Sequence, residues 1–254
     1  MFPEQILDLA YFPTTIDACV ERLKELAEHE DWDYHRTAHD HPNPVLKNFV
    51  FFTYRRLVEQ NKIEVSEDGQ ALTFNTGLVT PNQEEIFGYF VVNRQSSNRP
   101  WRFDSWCKKS DRKLTPFSPL PDIATYFDDP SVLILDQRRE IRANIDHIIS
   151  ENKERFPDPF NAMPEFQLQT LLTGALENAK RRAARNYKTA IPQYFGGRVQ
   201  LLLPLCLSDP AKADLALVIN NEGFFYRAAT CLPLEWAYNN ARQLAKPERD
   251  WLQP

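Results

Sequence analysis

Two pairs of apolar segments near the end of the chain, each joined by a short turn, restrict the fold more than any other part of the sequence. In the first pair, Gly196 and Gly197 join TAIPQYF to RVQLLLPLCL. In the second pair, NNEG lies between ADLALVI and FFYRAATCL. A glycine-containing turn between two strand-forming segments is typical of a β-hairpin. The last third of the chain is therefore predicted to form an antiparallel meander, followed by a closing helix, LEWAYNNARQLA.

The segments before this meander show helical and strand-like patterns in separate runs. Apolar residues recur at helical spacing in four segments: 16–29, 43–61, 136–154 and 166–187. In the second of these, Pro44 directly after the capping candidate Asn43 marks a helix start. Between the second and third helices the patterns indicate a hairpin at 62–74, a loop at 75–81 and strands at 86–93 and 101–107. The chain is therefore predicted to be α+β, an antiparallel β meander packed by helices, rather than a repeat of βαβ units.

The first 75 residues have an order of elements of their own. Two helices followed by a hairpin are also the order of a winged-helix module. We therefore expect residues 1–75 to form a helical, winged-helix-like N-terminal part that packs on the rest of the chain. Residues 76–254 are expected to form the main α+β domain.

Charge and apolar content exclude several classes of protein. The net charge of −5 and the pI of about 5.6 argue against a protein that coats nucleic acid non-specifically, but they allow a local basic cleft. No run approaches the roughly 18 apolar residues of a membrane span, and the acidic N-terminus lacks the basic region of a signal peptide. The four cysteines form no CxxC pair and are interpreted as reduced core thiols. We expect a cytoplasmic protein with no membrane partner.

The motifs of the commonest cofactors and reactions are absent. The sequence has no GxGxxG, GxxxxGK, GxSxG or HExxH, so no cofactor is expected. One segment has side chains of the kinds that bind zinc or manganese: His35, His39 and His41, interleaved with Asp31, Asp33 and Asp40. This segment is polar and turn-like, and no distant segment carries a matching ligand signature. We predict that it holds no tightly bound metal.

Several cations fall where the predicted helices should be apolar. By helical phase, the inward or edge positions are those of Lys47, Arg138, Arg142 and Arg182, with the polar Asn186 beside the last. An inward charge is costly unless it is paired or solvated in a cleft. Planar guanidinium groups suit phosphate or carboxylate, so these residues suggest one electropositive cleft. The alternative is that each arginine pairs with a buried acid: Glu84, Glu85, Glu140 or Asp146.

Three further segments are consistent with binding, and each has a plainer alternative. The sequence Asn75-Thr76-Gly77 could present backbone N–H groups to an anion, or form an ordinary turn. The segment RRAARNYKTAIPQYFGG alternates basic and aromatic residues, as suits contact with bases and phosphates, or it is a solvated helix end that leads into a hairpin. Trp236 points away from the apolar face of the closing helix, where it would pack on another element or meet a protein partner.

The segments LKNFVFFTYRRL, FNTGLVTPNQEEIFGYF, RNYKTAIPQYFGGRVQLLLPL, ADLALVI and AYNNARQLAKP together resemble a bacterial family named domain of unknown function 3825. The likeness spans Trp32 to Leu252. The family has no settled activity, and some members are fused to cold-shock-type or LOTUS-type domains, which implies a role beside nucleic-acid-binding modules. The family pattern does not include the three histidines of the polar segment. Blocks similar to those of the family contain Lys47, Asn75, Thr76, Gly77, Arg182, Asn186, Lys188 and Gln193.

Periodicity and resemblance lead to one functional hypothesis and two alternatives. The first is binding or processing of a phosphate-bearing ligand, RNA or a nucleotide, with phosphoester or phosphoryl chemistry if the protein is an enzyme. The expected cleft is lined by Lys47, Asn75, Thr76, Gly77, Arg138, Arg142, Arg182, Asn186, Lys188 and Gln193. The second hypothesis is a non-enzymatic interaction or regulatory module whose inward charges form structural ion pairs. The third, a metal-dependent hydrolase, depends on the histidine segment.

Overall fold

A computed structural model describes residues 2–34, 41–95, 98–247 and 251–252, apart from the side chain of Ala229. The chain divides into two units, Met1–Thr125 and Tyr126–Pro254. Over the described residues each unit contains a five-stranded, mostly antiparallel sheet together with helices, which confirms the predicted α+β class. The predicted domain boundary at residue 75 falls inside a strand of the first unit.

In its described residues the first unit has three α-helices and five strands. The helices are α1 (Ile6–Leu9), α2 (Ile16–Leu26) and α3 (Pro44–Glu59). The strands are β1 (Ala10–Tyr11), β2 (Glu64–Val65), β3 (Ala71–Val79), β4 (Glu85–Val92) and β5 (Trp101–Lys108). Their order is β1-β5-β4-β3-β2, with β1 parallel to β5 and the other pairs antiparallel. Tyr54 of α3 packs against Phe74 in the core.

The helix starts of this unit follow the sequence signals in part. Thr15 caps α2, because its Oγ1 accepts a hydrogen bond from the Ala18 backbone nitrogen at 3.2 Å. Pro44 is the first residue of α3, as predicted. Asn43 does not cap that helix with its side chain: its φ is 53°, and its Nδ2 donates to Glu21 on α2 at 2.6 Å. Asn43 therefore occupies the predicted N-cap position, where its carbonyl accepts from the Lys47 backbone nitrogen at 3.1 Å, but its side chain does not cap the helix.

The predicted loop at 75–81 is largely a continuation of strand β3. This strand runs to Val79 and contains an irregularity between Asn75 and Val79, where Gly77 has a φ of 73°. A glycine at positive φ is typical of a β-bulge. The polar residues that resembled a loop therefore mark a bulge within the strand.

The described part of the second unit has three α-helices and five strands. The helices are α4 (Ile145–Asn152), α5 (Glu165–Arg185) and α6 (Leu234–Arg242). The strands are β6 (Ile141–Ala143), β7 (Ile191–Phe195), β8 (Arg198–Leu205), β9 (Leu215–Asn221) and β10 (Tyr226–Leu232). Their order is β6-β10-β9-β8-β7, and only the β6–β10 pair of these described strands is parallel. Both predicted hairpins, β7–β8 and β9–β10, are confirmed.

The helix predicted over 136–154 is wrong in its first half. Asp136 Oδ1 accepts from the Arg138 backbone nitrogen at 3.1 Å, which forms a turn. Residues 141–143 then pair with 226–228 as an edge strand. Asn144 Oδ1 accepts from the His147 backbone nitrogen at 3.2 Å, so the helix begins only at Ile145.

The two faces of the second sheet are covered by different helices. On one face, alternate residues of β8 and β9, among them Leu203 and Leu217, share a core with residues of α4 and α5. On the opposite face Gln193 of β7 bonds Asn240 of α6, so we name it the α6 face. The register of β8 with β9 brings the β7–β8 and β9–β10 turns to the same end of the sheet, which we name the turn end.

Candidate functional site

The predicted site residues of the first unit are engaged in structural contacts. Lys47 Nζ lies 3.1 Å from Asp17 Oδ1, and His41 Nδ1 lies 3.0 Å from Asp17 Oδ2. The hydrogen bond with His41 and the bond and charge of Lys47 lower the pKa of Asp17, and the partial burial of Asp17 opposes this shift. Lys47 is therefore a partner of α2 rather than an unpaired inward charge.

The Asn75-Thr76-Gly77 segment uses its polar groups inside the first sheet. Asn75 Oδ1 accepts from the Gly77 backbone nitrogen at 3.0 Å, and its Nδ2 donates to Glu85 at 3.0 Å. Thr76 Oγ1 donates to the Ile86 carbonyl at 2.6 Å. The backbone N–H of Gly77, one of the groups that this segment was expected to present to an anion, is thus already bonded.

Arg138 and Arg142 face solvent, contrary to the expectation that they point inward. The Arg138 side chain is 90% exposed and bonds Asp136 at 2.9 Å, which lowers the pKa of Asp136 to about 2. Arg142 Nε lies 2.7 Å from Glu140 Oε2. The prediction assumed that both arginines lie on a helix, whereas residues 136–143 form a turn and a strand. Their side chains therefore do not have the orientation that helical spacing predicted.

The predicted residues around the end of α5 lie near two different features. Arg182 is half-buried and makes no ion pair within the described part of the chain. Its charge opposes the burial that raises the pKa of Cys206. Asn186 Oδ1 accepts from the Lys188 backbone nitrogen at 3.0 Å, which starts a short turn. Lys188 lines a mostly apolar cavity of about 360 Å³ together with Tyr187.

Two of the predicted residues, Gln193 and Arg142, belong to one row of polar side chains that crosses all five strands of the second sheet. Successive register partners along this row are Gln193 on β7, Gln200 on β8, Asn220 on β9, Arg227 on β10 and Arg142 on β6. Register partners in a sheet share a face, so the row lies on the α6 face. The amides are buried and the arginines are exposed.

The amides of this row form a chain of hydrogen bonds with one direction. Asn240 Nδ2 on α6 donates to Gln193 Oε1 at 3.2 Å. Gln193 Nε2 donates to Gln200 Oε1 at 2.8 Å, and Gln200 Nε2 donates to Asn220 Oδ1 at 2.7 Å. We name these four residues the amide relay. Its last group, Asn220 Nδ2, donates to nothing in the described residues and lies on the strand beside Arg227.

The exposed end of the row is a cluster of arginine and aromatic side chains. Phe225 lies close to both arginines: its ring centroid is 4.3 Å from Arg142 Cζ and 5.9 Å from Arg227 Cζ. The neighbouring Phe224 is 95% exposed. Arg227 Nε is 3.6 Å from Glu222, so both arginines have an acidic neighbour at the surface. We name Arg142, Arg227, Phe224 and Phe225 the arginine–phenylalanine cluster.

The β7–β8 turn adds a second aromatic and basic pair at the turn end. Phe195 is 61% exposed and is the register partner of Arg198. Arg198 is exposed and makes no ion pair within residues 2–34, 41–95, 98–247 and 251–252. The turn end of the second sheet therefore carries exposed rings and cations on both hairpins.

The two remaining sequence hypotheses concern metal and partner binding. His35 and His39 lie outside the described residues, and His41 is bonded to Asp17. No group of three or more His, Cys, Asp or Glu side chains suited to a metal occurs in the described residues. Trp236 remains 53% exposed, although the Arg155 guanidinium lies 5.6 Å from its ring centroid. A protein partner at Trp236 stays a prediction.

Comparison with known proteins places the chain in a family. The model of the family described as "Domain of unknown function (DUF3825)" matches residues 23–251. The chain belongs to the DUF3825 family. No curated protein and no solved structure matches it. Across the described residues of this DUF3825 protein, no helix is long and apolar enough to cross a membrane.

Five residues of the row and its cluster were not predicted as site residues: Gln200, Asn220, Arg227, Phe224 and Phe225. A signal for Gln200 was present in the first turn. Residues 193 and 200 are equidistant from the Gly196-Gly197 turn, and positions equidistant from a hairpin turn are register partners. The same rule fails in the second hairpin, because Asn220 lies inside the NNEG turn predicted from the sequence, whereas β9 in the structure continues to Asn221. The alignment of Asn220 with Arg227 is therefore visible only in the structure.

Proposed function

We propose that this DUF3825 protein binds a phosphate-bearing ligand, RNA or a nucleotide, on the α6 face at the turn end of its second sheet. The observation that carries the proposal is the pair of register-matched arginines whose guanidinium groups both lie within 5.9 Å of the Phe225 ring centroid. Guanidinium groups form paired hydrogen bonds with phosphate oxygens, and exposed rings stack on bases. The arginine–phenylalanine cluster offers both kinds of contact within one side-chain length.

The surroundings of the cluster favour a local site over a broad charged surface. Glu140 and Glu222 lie beside Arg142 and Arg227, and the whole chain has a net charge of −5. Exposed ion pairs of this kind are weak, so a phosphate can compete for the guanidinium groups. A ligand should therefore be bound by a few directed contacts, with a small dependence on salt.

Binding is supported better than phosphoester chemistry. The groups at the cluster are arginines, phenylalanines and amides, with Glu140 and Glu222 already paired to arginine. General acid–base catalysis needs a positioned group that transfers a proton, and both carboxylates at the cluster are already in contact with its arginines. The proposal is therefore a binding protein of the phosphate-bearing ligand.

The test measures binding of a short labelled oligouridylate by fluorescence anisotropy. Removing both charges in Arg142→Gln/Arg227→Gln should weaken binding by about tenfold or more, since two charge-assisted contacts are lost. The slope of log Kd against log salt should fall by about 0.7 for each phosphate contact removed. Adenosine monophosphate serves as a competitor that reports on a nucleotide ligand.

The matched control is Arg181→Gln/Arg185→Gln, which removes two exposed arginines of α5. This helix packs on the face of the second sheet opposite the α6 face. The variant should bind the oligouridylate within about twofold of the wild type, because exposed charges away from the site are screened. Equal losses in the two double variants, or no binding by the wild type of either probe, would reject the proposal in favour of an interaction module.

A further inference from the structure

We infer that Asn220 Nδ2 and Arg227 form the seat for a phosphate oxygen of the ligand, and that the amide relay keeps this seat a hydrogen-bond donor. The inference rests on the proposed function and deepens it by assigning the contact that selects the ligand group. In this assignment Asn220 contacts the ligand, whereas Gln193 is a positioning residue that acts through two other amides.

The first support is the unused donor at the end of the relay. Asn220 is only 5% exposed, and its Oδ1 is occupied by Gln200 Nε2 at 2.7 Å. Its Nδ2 is thereby turned away from Gln200 and makes no hydrogen bond in the described part of the chain. The nitrogen itself is not fully enclosed, so it can be reached from outside the protein. An acceptor from a ligand or from water can therefore bond it.

The second support is the common direction of the relay. Each amide donates toward β10, from Asn240 through Gln193 and Gln200 to Asn220. Aligned hydrogen bonds polarise one another, so the positive ends of these dipoles accumulate at Asn220 Nδ2. The next residue in the row, Arg227, carries donors alone. A seat with donors on both sides selects an acceptor such as a phosphate oxygen and disfavours ammonium groups.

The direction of the relay can be changed from a distance. Gln193 bonds the neutral amides of Gln200 and Asn240, and two strands, β8 and β9, lie between it and Arg227. In Gln193→Glu an ionised carboxylate cannot donate to Gln200. Gln200 would then turn to donate toward β7, and Asn220 would turn to donate to Gln200. Asn220 would thus present Oδ1, an acceptor, to the ligand. When the introduced carboxyl group is protonated, its O–H can donate to Gln200 and the original direction is kept.

The experiment therefore measures the affinity of Gln193→Glu relative to the wild type as a function of pH. The probe is the oligouridylate with a pH-insensitive rhodamine label, because phosphodiesters and uracil keep their charge between about pH 5 and pH 8. At about pH 8 the affinity should be roughly tenfold below that of the wild type, as for the loss of one charge-assisted hydrogen bond. Toward about pH 5 the ratio should return to within roughly threefold, because burial favours the protonated carboxyl group.

Two substitutions on adjacent residues of β9 provide the contact test and its control. Asn220→Asp removes the donor and should weaken binding by roughly tenfold. Asn221→Asp adds the same charge one residue away on the opposite face. Its carboxylate can still accept from Arg139 and from the Gly223 backbone nitrogen, as Asn221 Oδ1 does at 2.9 Å in both cases. This control should lose less than roughly threefold, since its charge is solvated.

Melting curves identify variants that do not fold. If Gln193→Glu does not fold, Gln200→Glu is measured instead, because it interrupts the amide relay at the next residue. The inference is overturned if the loss of affinity in Gln193→Glu is the same at both pH values, or if Asn220→Asp and Asn221→Asp bind the oligouridylate equally well. If Arg142→Gln/Arg227→Gln still binds more weakly than the wild type, those results leave the proposed binding function intact. If the wild type does not bind the oligouridylate at all, both the inference and the proposed function are rejected.

Discussion

Asp17 illustrates how a single carboxylate joins two helices of the first unit. It lies in the first turn of α2 and accepts hydrogen bonds from His41 and from Lys47 of α3. These partners lower its pKa in the folded protein. A carboxylate with a lowered folded pKa adds stability above its unfolded pKa, and this stability is lost as the pH falls through the folded value.

Asp17→Asn should therefore destabilise the protein at neutral pH but not in acid. We expect a loss on the order of 1 kcal/mol near pH 7, because the partly exposed contacts are screened by solvent. The difference in melting temperature between wild type and variant should shrink progressively as the pH is lowered below about 4. Thermal melts followed by circular dichroism at several pH values provide the measurement. A difference that persists unchanged at about pH 2 would show that the carboxylate charge is not the cause.

The β7–β8 hairpin depends on the backbone of its turn. Gly196 and Gly197 have φ values of 60° and 81°, which β-branched residues rarely adopt. Replacing both glycines with valine should lower the free energy of unfolding by about 2 kcal/mol or more. The control is Gly174→Val on the exposed side of α5, where a Cβ would meet no atom within 4 Å. That substitution should change stability by less than about 0.5 kcal/mol, since glycine and valine are both modest helix formers. Equal denaturation midpoints for the turn variant and the wild type would contradict this strain.

The sequence predicted the helices and hairpins that depend on neighbouring residues. The hairpins followed from turn glycines and apolar segments, and α2, α3, α5 and α6 followed from helical spacing. The segment 136–154 failed because Ile141 has both a helical neighbour pattern and a distant strand partner, Tyr226. The helical pattern can be read from the spacing of neighbouring residues, but the pairing with Tyr226 cannot, because Tyr226 lies far away in the sequence. The pairing with β10 prevails over the helical pattern, since tertiary contacts readily override local propensity.

The candidate site was predicted only in part, and for a related reason. Arg142 was chosen for an inward helical position, yet it lies at an exposed edge strand beside Phe225. Gln193 was chosen by family resemblance, and its place in the amide relay depends on strand pairing. Lys47 and Asn75 were predicted to bind a ligand, but their side chains bond other polar residues of the first unit. These partners could not be predicted from the sequence, because folding brings them together from separate segments of the chain.

At the scale of the whole molecule, each of the two units has its own sheet and its own buried cluster. The segment between the sheets, residues 115–129, contains no helix or strand, and most of its residues from Asp122 to Asp129 are exposed. Exposed irregular segments are the preferred sites of limited proteolysis. This segment includes Tyr126 and Phe127, which chymotrypsin recognises.

Brief digestion with chymotrypsin should therefore cleave first after Tyr126 or Phe127. Mass spectrometry should identify two fragments that end and begin at this position and that persist while the intact chain disappears. Phe127→Ser combined with Tyr126→Ser should slow their appearance. First cleavage inside β8 or β9 would contradict the assignment of an independent second core, because those strands lie at its centre.

Both sheets are completed by a short parallel strand that comes from a distant part of the chain. Ala10 pairs with Trp101, and Ile141 pairs with Tyr226. Contacts between residues so far apart form slowly, because a long loop must close first. During synthesis on the ribosome, the first sheet can close once β5 has emerged, before the strands of the second sheet are made. The second sheet must wait for β10, so the apolar strands β7, β8 and β9 stay partly unprotected until that strand has emerged.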